Sequence, residues 1–276
     1  MSKELRMTKT QLAIELGLSR STLYYQSKID SKDTKILSSI KEVMDKNPSY
    51  GHRRIALALG INHKRALRIM QKFGLQPALK RIRSKYRNNA KPKKVTNLIK
   101  NICPIAPNII WVTDFTHRRF RNKFVYLATV LDLFSRKIIG WNLSFKQDQV
   151  LTSKAIEEAF KQGKAEILHS DRGAQYQTKD LEKLLQSKKV KHSQSDKSSP
   201  WQNGWQESFY SQFKLELGGT GKYLAIEDLT NAISSQIDYY NNDRIHTKLK
   251  TSPLNFLKQY YQKIKGVVLL SEKMGT

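Results

Sequence analysis

Three carboxylates in this chain stand apart from the rest by their setting. Asp114 lies inside "NIIWVTDFTH" (108–117), an apolar and β-branched run, and no acid occurs in the 68 residues before it, from 46 to 113. Asp171 closes a second such run, "AEILHSD", and Glu207 falls in "NGWQESFYSQFKLEL", after a loop rich in Ser and Pro; 56 and 35 residues separate the three. An ionised carboxylate taken into a low-dielectric interior is strongly destabilised, so it must be protonated, paired or bound to a cation. For several converging acids a metal is the economical solution. Hard Mg²⁺ or Mn²⁺ takes oxygen ligands, needs one or two carboxylates per ion and shares its shell with water and phosphate. Two such ions roughly 4 Å apart can serve the attacking and leaving oxygens of an in-line phosphoryl transfer. A salt bridge from Asp114 to Arg118 or Arg119 is the nearest alternative. Other acids, such as Glu157, Glu158, Asp180, Glu182, Glu227 and Asp228, fall at polar helix positions and starts, where solvent and the helix dipole account for them.

The elements that must position these acids alternate in type. "NIIWVTDFTH", "KFVYLATVLDLF" and "RKIIGWNLSF" read as strands, "QVLTSKAIEEAFKQ" as an amphipathic helix, and "AEILHSD" as a fourth strand. A helix around "TKDLEKLLQSK", a short strand "VKHSQS" and further helices follow, the last opened by Pro253. That order predicts an α/β fold, a mixed sheet flanked by helices.

Ahead of it the texture is helical. In "TKTQLAIELGLSRSTLYYQSK", Leu12, Ala13 and Leu16 share a helix face, Gly17 permits a left-handed turn and Ser19 can cap a second helix. This is helix-turn-helix spacing, with Arg20, Ser21, Thr22 and Tyr25 near the exposed start of the second helix. "YGHRRIALALGINHKRALRIMQKFGL" repeats the arrangement around Gly60. Arg53, Arg54, Lys64, Arg65, Arg68 and Lys72 lie on its outside, an acid-free set suited to DNA phosphate.

Charge sharpens this division. The chain of 276 residues carries +27, of which residues 51–100 hold +15 with no acid at all. Such self-repulsion points to a polyanion partner, first of all nucleic acid. The densest piece, "KRIRSKYRNNAKPKK" (80–94), has eight basic residues and no apolar periodicity, and reads as an extended linker supplying Lys80, Arg81, Arg83, Lys85 and Arg87 to DNA. No run is long and apolar enough to span a bilayer, and a signal peptide's apolar stretch is missing, so a cytoplasmic, nucleoid-associated chain is expected. A single cysteine, Cys103, excludes an internal disulfide and a CxxC zinc site. The ranges expected are 1–29 and 30–79 for two helical DNA-binding units, 80–104 for the linker, 105–262 for the catalytic core and 263–276 for a tail.

The D,D(35)E spacing, together with "WVTDFTH", "LDLFSRKIIGW", "HSDRGAQY", "NGWQESFYSQFK" and "YYNNDRIHTKLKTSP", resembles the OrfB-type transposases of bacterial insertion sequences, a family related to retroviral integrases. "YGHRRI" extends the resemblance to nearly the whole chain. It implies an RNase H-like catalytic core in which Asp114, Asp171 and Glu207 bind two Mg²⁺ (or Mn²⁺) ions. Lys214, two helical turns after Glu207, matches the basic residue that contacts the element's terminal DNA. Asn203 is placed to orient Glu207, touch DNA or cap its helix. His169 takes a supporting role, and Arg244 and His246 match a segment that positions DNA or closes the domain. Trp201 and Trp205 either stack on splayed bases or fill the core. No zinc is expected. The partners implied are double-stranded DNA, as element inverted repeats and target, further copies of the chain on that DNA, and an OrfA product or OrfA–OrfB fusion. A DNA-binding regulator and a structure-specific nuclease are the rival functions; the first has no use for three acids at this spacing, and the second cleaves without joining.

Overall fold

The computed structural model describes residues 8–24, 28–79, 99, 102–171, 173–195 and 204–274. The chain divides between Gln76 and Pro77 into two compact units.

The first unit is helical. Helix α1 (Lys9–Glu15) opens on a reciprocal cap between Thr8 and Gln11, and α2 (Arg20–Tyr24) follows a turn in which Gly17 takes φ 63°. Ala13 is buried, as close helix approach requires. Helix α3 (Lys28–Lys46), which the sequence pattern does not announce, is followed by α4 (His52–Leu59) and α5 (His63–Lys72), with Gly60 left-handed between the last two. Ile40, Ile55, Ala66 and Ile69 are fully enclosed within this unit. Asp33 of α3 is buried too, and Arg68 of α5 reaches it with Nη2 at 2.7 and 2.9 Å from its two carboxylate oxygens; Arg65 stands at 3.8 Å.

The second unit is built on five strands, β1 (Ile110–Phe120), β2 (Lys123–Asp132), β3 (Ile138–Ser144), β4 (Ile167–Ser170) and β5 (Lys191–Gln194). Their order is β3-β2-β1-β4-β5. β1–β2–β3 is an antiparallel meander, whereas β4 and β5 run parallel to β1, so the sheet is mixed as its element order suggests. On one face α6 (Gln149–Gln162) and α7 (Lys179–Ser187) cover Trp111, Ala128, Val130 and Leu168. α6 lies so close to β3 that a Cβ on Gly140 would stand 2.6 Å from the Ala159 nitrogen. On the other face α8 (Gly204–Leu217) and α9 (Ile226–Asn242) pack Phe209, Phe213, Leu229 and Ile233 against Phe120, Val125, Leu127 and Leu131. α10 (Pro253–Met274) opens on its proline and continues through the stretch 263–274 that the sequence reading assigns to a tail. No helix among the described residues is long and apolar enough to cross a membrane.

Candidate active site

Asp114 sits at the middle of the central strand, on the face that carries Ile110, Val112 and Phe120 toward α8 and α9. β1 pairs with β4 at Val112 and His169; continuing that parallel register by two residues sets Asp114 level with Asp171, just past the end of β4. Asp171 is fixed by the Gly173 N–H, 2.9 Å from its Oδ1.

Glu207 comes from α8, in the first turn of the helix. Two buried polar neighbours clamp this helix to the sheet. Gln206 donates from Nε2 to the carbonyls of Val112 (2.7 Å) and Thr129 (3.3 Å) and accepts the Thr129 hydroxyl at Oε1. Tyr210, one turn later, donates to the carbonyl of Asp114 itself at 2.7 Å and meets Thr129 Oγ1 at 2.8 Å. Glu207 is thus carried between two side chains anchored on the backbone that bears Asp114. Sequence reading passes over both. The available signal is a helical stripe, Gln206, Phe209/Tyr210, Phe213 and Leu217, whose first member is polar and yet buried.

The electrostatics join the three acids. Burial first, then the negative charge of Asp171 and of Glu207, raise the Asp114 pKa from an ordinary 3.8 to about 7, against opposing help from the Phe115 N–H and the Lys214 cation. Burial also raises Asp171. Lys214 is half-buried, and its pKa is lowered by burial and by neighbouring Arg118, with Asp114 acting the other way. Neither arginine proposed as a partner pairs with Asp114: Arg118 gives its guanidinium to the Gly218 carbonyl, and Arg119 donates from Nε to the Arg121 carbonyl at 3.4 Å. Among the described residues Asp114 accepts one hydrogen bond, from Phe115 N–H at 2.8 Å.

Hard oxygen donors, one of them half-buried and without an ion-pair partner among the described residues, suit a divalent cation. Among the described residues, however, no three His, Cys, Asp or Glu side chains stand close enough together to hold one as they are. Asn203 precedes the described start of α8, and Lys80, Arg81, Arg83, Lys85, Arg87, Tyr25 and Trp201 likewise lie outside the described residues.

The other expected residues are placed as follows. His169 is wholly buried in β4, with Nδ1 2.9 Å from Ser193 Oγ, and burial followed by the neighbouring His192 lowers its pKa to about 4, so the ring is neutral. Trp205 packs against Ile110, Val112 and Leu133 with Arg136 over its ring at 5.7 Å, which is core filling. Arg244 is 2% exposed and committed to Glu216 at 2.8 Å and Gln212 at 3.0 Å, so it ties the end of α9 to α8. His246 pairs with Thr251 as an isolated bridge, His246 N–H to the Thr251 carbonyl. Arg53, Arg54 and Lys64 lie in the first turns of α4 and α5, while Arg65 and Arg68 face Asp33. Asp132, Glu216 and Asn241 also do work that sequence reading does not assign: Asp132 accepts N–H groups of Asn108 and Ser135, and Asn241 bonds both the N–H and the carbonyl of Ile138.

Compared with known proteins, residues 104–200 match one family model described as "Integrase core domain" and residues 188–253 match a second with the same description. Together these stretches hold Asp114, Asp171, Glu207 and Lys214. The putative transposase InsK for insertion sequence element IS150 of Escherichia coli (strain K12) is 33% identical over 257 residues, 88% of this chain and 90% of that protein. The transposase for insertion sequence element IS904 of Lactococcus lactis subsp. lactis (strain IL1403) is 32% identical over 224 residues, 76% of this chain and 87% of the relative. A chain of the simian T-cell lymphotropic virus intasome, solved in complex with PP2A regulatory subunit B56 gamma, superposes with a TM-score of 0.50 at 19% identity, over 79% of this chain and 74% of that one, a likeness of fold. With its five-stranded mixed sheet and its three acids inside the matched core, the chain belongs to the insertion-sequence transposases that carry an RNase H-like integrase core domain.

Proposed function

We propose that this transposase carries out its DNA chemistry at Asp114, Asp171 and Glu207, as a divalent-metal-dependent polynucleotidyl transferase. One observation carries the reading: Asp114 on the central strand has no ion-pair partner among the described residues, stands level with Asp171 in the β1–β4 register, and is tied through Tyr210 to the helix that bears Glu207. Two Mg²⁺ or Mn²⁺ ions held by these three residues would supply positive charge to the reacting phosphate and lower the pKa of a bound attacking water or hydroxyl. The chain's own residues do the rest. Gln206 and Tyr210 keep Glu207 in step with β1. Lys214 offers a cation beside Asp114 for a DNA phosphate. His169, neutral and bonded to Ser193, stiffens the strand that ends in Asp171.

The sequence of events we assign is cleavage at the element end, giving a free 3′-OH, followed by attack of that hydroxyl on a second phosphodiester. Residues 1–29 and 30–79 hold the inverted repeats through Arg53, Arg54 and Lys64, with the exposed parts of Arg65 and Arg68 adding charge. The basic linker 80–104 tracks the DNA toward the core at 105–262. Arg244 serves the fold by closing α9 on α8. Holding two ends calls for more than one copy, and an OrfA product or a frameshift fusion is the partner proposed for end recognition.

The test is a joining reaction with pre-cut element ends and a plasmid target. In Mg²⁺ the parent chain is expected to give covalent strand-transfer products, and Asp114→Asn, Asp171→Asn and Glu207→Gln to bind the ends within a few-fold of the parent while joining falls below detection. Robust joining by Asp114→Asn overturns the triad. Cleavage without joining by the parent favours a nuclease, and binding without either favours a regulator.

A further inference from the structure

The hairpin that carries Asp114 continues into "HRRFRNK", where four of seven residues are Arg or Lys. The stretch from Asp114 to Phe120 spans about 20 Å at roughly 3.3 Å per residue. Arg118 shares the Asp114 face and is half-buried; Arg119, Arg121 and Lys123 are exposed at the tip. The α8–α9 connection is tied alongside: the Arg118 guanidinium donates to the Gly218 carbonyl, the Thr220 hydroxyl to the Arg119 carbonyl, and the Arg121 guanidinium to the Leu224 carbonyl. That connection brings Lys222 to the hairpin, and Lys214 feels both Arg118 and Asp114. Arg118 and Lys123 lie on the Asp114 face and Arg119 on the other, so the cations flank both sides of the hairpin that runs out from the acids.

Two features set these cations apart from ordinary surface charge. First, no carboxylate stands at ion-pair distance from any of the six among the described residues, where the ion pairs are those of Asp33, Glu158 and Glu216 with other partners. Like charges held together by specific main-chain bonds repel unless an anion joins them. Second, Arg121 occupies the first position of a two-residue turn at φ 50°, a left-handed conformation that Gly, Asn or Asp fills with less strain.

We propose that Arg118, Arg119, Arg121 and Lys123, with Lys214 and Lys222 beside them, form a track for the backbone phosphates of duplex DNA leading away from the reacting phosphate at Asp114. Six residues of β1 correspond to about six base pairs at 3.4 Å per step. The track contacts phosphate alone and is indifferent to sequence. It rests on the catalytic site proposed above for the place where the track begins.

The experiment measures binding of the full chain to a duplex of arbitrary sequence by fluorescence anisotropy across a salt series. Each lost phosphate contact is expected to lower the slope of log K against log salt by about 0.9. The triple variant Arg119→Glu/Arg121→Gly/Lys123→Glu should lose about 2 to 3 from that slope and bind about tenfold or more weakly at low salt. A control with comparable charge loss on α6 and α7, Lys154→Glu/Lys183→Glu, should stay near the parent. Arg121→Gly alone trades the bond to the Leu224 carbonyl for relief of the left-handed strain, so it should melt close to the parent while still losing one phosphate contact. A hairpin variant whose slope matches the control overturns the track. If the parent joins DNA and the slope is unmoved, the track alone is wrong; if the slope falls but the parent does not join DNA, the catalytic reading alone is wrong. A parent that binds no duplex overturns both.

Discussion

Acids held within the fold of this chain meet different fates, and the difference is what marks Asp114, which is half-buried on the central strand. Asp33 is answered by Arg68, Asp132 by the N–H groups of Asn108 and Ser135, and Glu216 by Arg244. Asp114 has one N–H from its own neighbour among the described residues, and two further carboxylates acting on it. Its pKa near 7 in the fold, against 3.8 for an ordinary Asp, fixes the sign of a stability effect. The folded state binds this proton more tightly than the unfolded one, so between about pH 4 and 7 stability falls as pH rises, and the whole penalty is present above 7. In a chelating buffer Asp114→Asn should therefore melt several degrees above the parent at pH 8, at roughly 2–4 °C per kcal/mol for a domain of this size. The gap should close toward pH 4, as differential scanning calorimetry would read. A parent at least as stable as the variant at pH 8 would show that Asp114 is satisfied by the fold.

At the scale of elements, the site depends on how closely the helices can approach the sheet. Gly140 is where α6 meets β3: an added Cβ would lie 2.6 Å from the Ala159 nitrogen and 2.9 Å from its Cβ. Gly140→Ala should destabilise the core by roughly 1–3 kcal/mol, seen as a lowered thermal midpoint. An unchanged midpoint would mean that α6 can retreat without loss. Much of this layering is legible in the sequence, because β-branched runs and helical stripes report burial directly: the five strands and α6 to α9 lie within a few residues of where those patterns put them. The order β3-β2-β1-β4-β5 is not legible, since parallel pairing of β1 with β4 joins residues 57 apart, as at Val112 and His169. Helix α3 escapes notice between two better-marked units. Long-range pairing is likewise invisible: Arg65 and Arg68 look free until Asp33, 35 residues before Arg68, is seen beside them, and Arg244 looks like a DNA ligand until Glu216 encloses it. The spacing of Asp114, Asp171 and Glu207 is legible in the sequence, and the fold sets Asp114 level with Asp171 across β1 and β4. Gln206 and Tyr210, which seat Glu207, are not, because a hydrogen bond to a strand carbonyl leaves no sequence period.

On the reading proposed, the whole molecule separates holding from cutting along its length. Residues 51–100 carry +15 without an acid, as suits the phosphate contact proposed for them, and the first of the acids proposed for chemistry is Asp114. The basic hairpin beyond Asp114 carries the same positive character into the core itself. The polyanion partner thus relieves a charge of +27 that the folded chain cannot pair internally. The central proposal is that Asp114, Asp171 and Glu207 share divalent ions. Titration of the full chain with Mn²⁺, followed by electron paramagnetic resonance of the free ion, measures this most directly. Saturable uptake by the parent, weakened about tenfold or more by Asp114→Asn and reduced by Asp171→Asn and Glu207→Gln, is the result predicted for shared carboxylate ligands. Equal uptake by the parent and all three variants would contradict it.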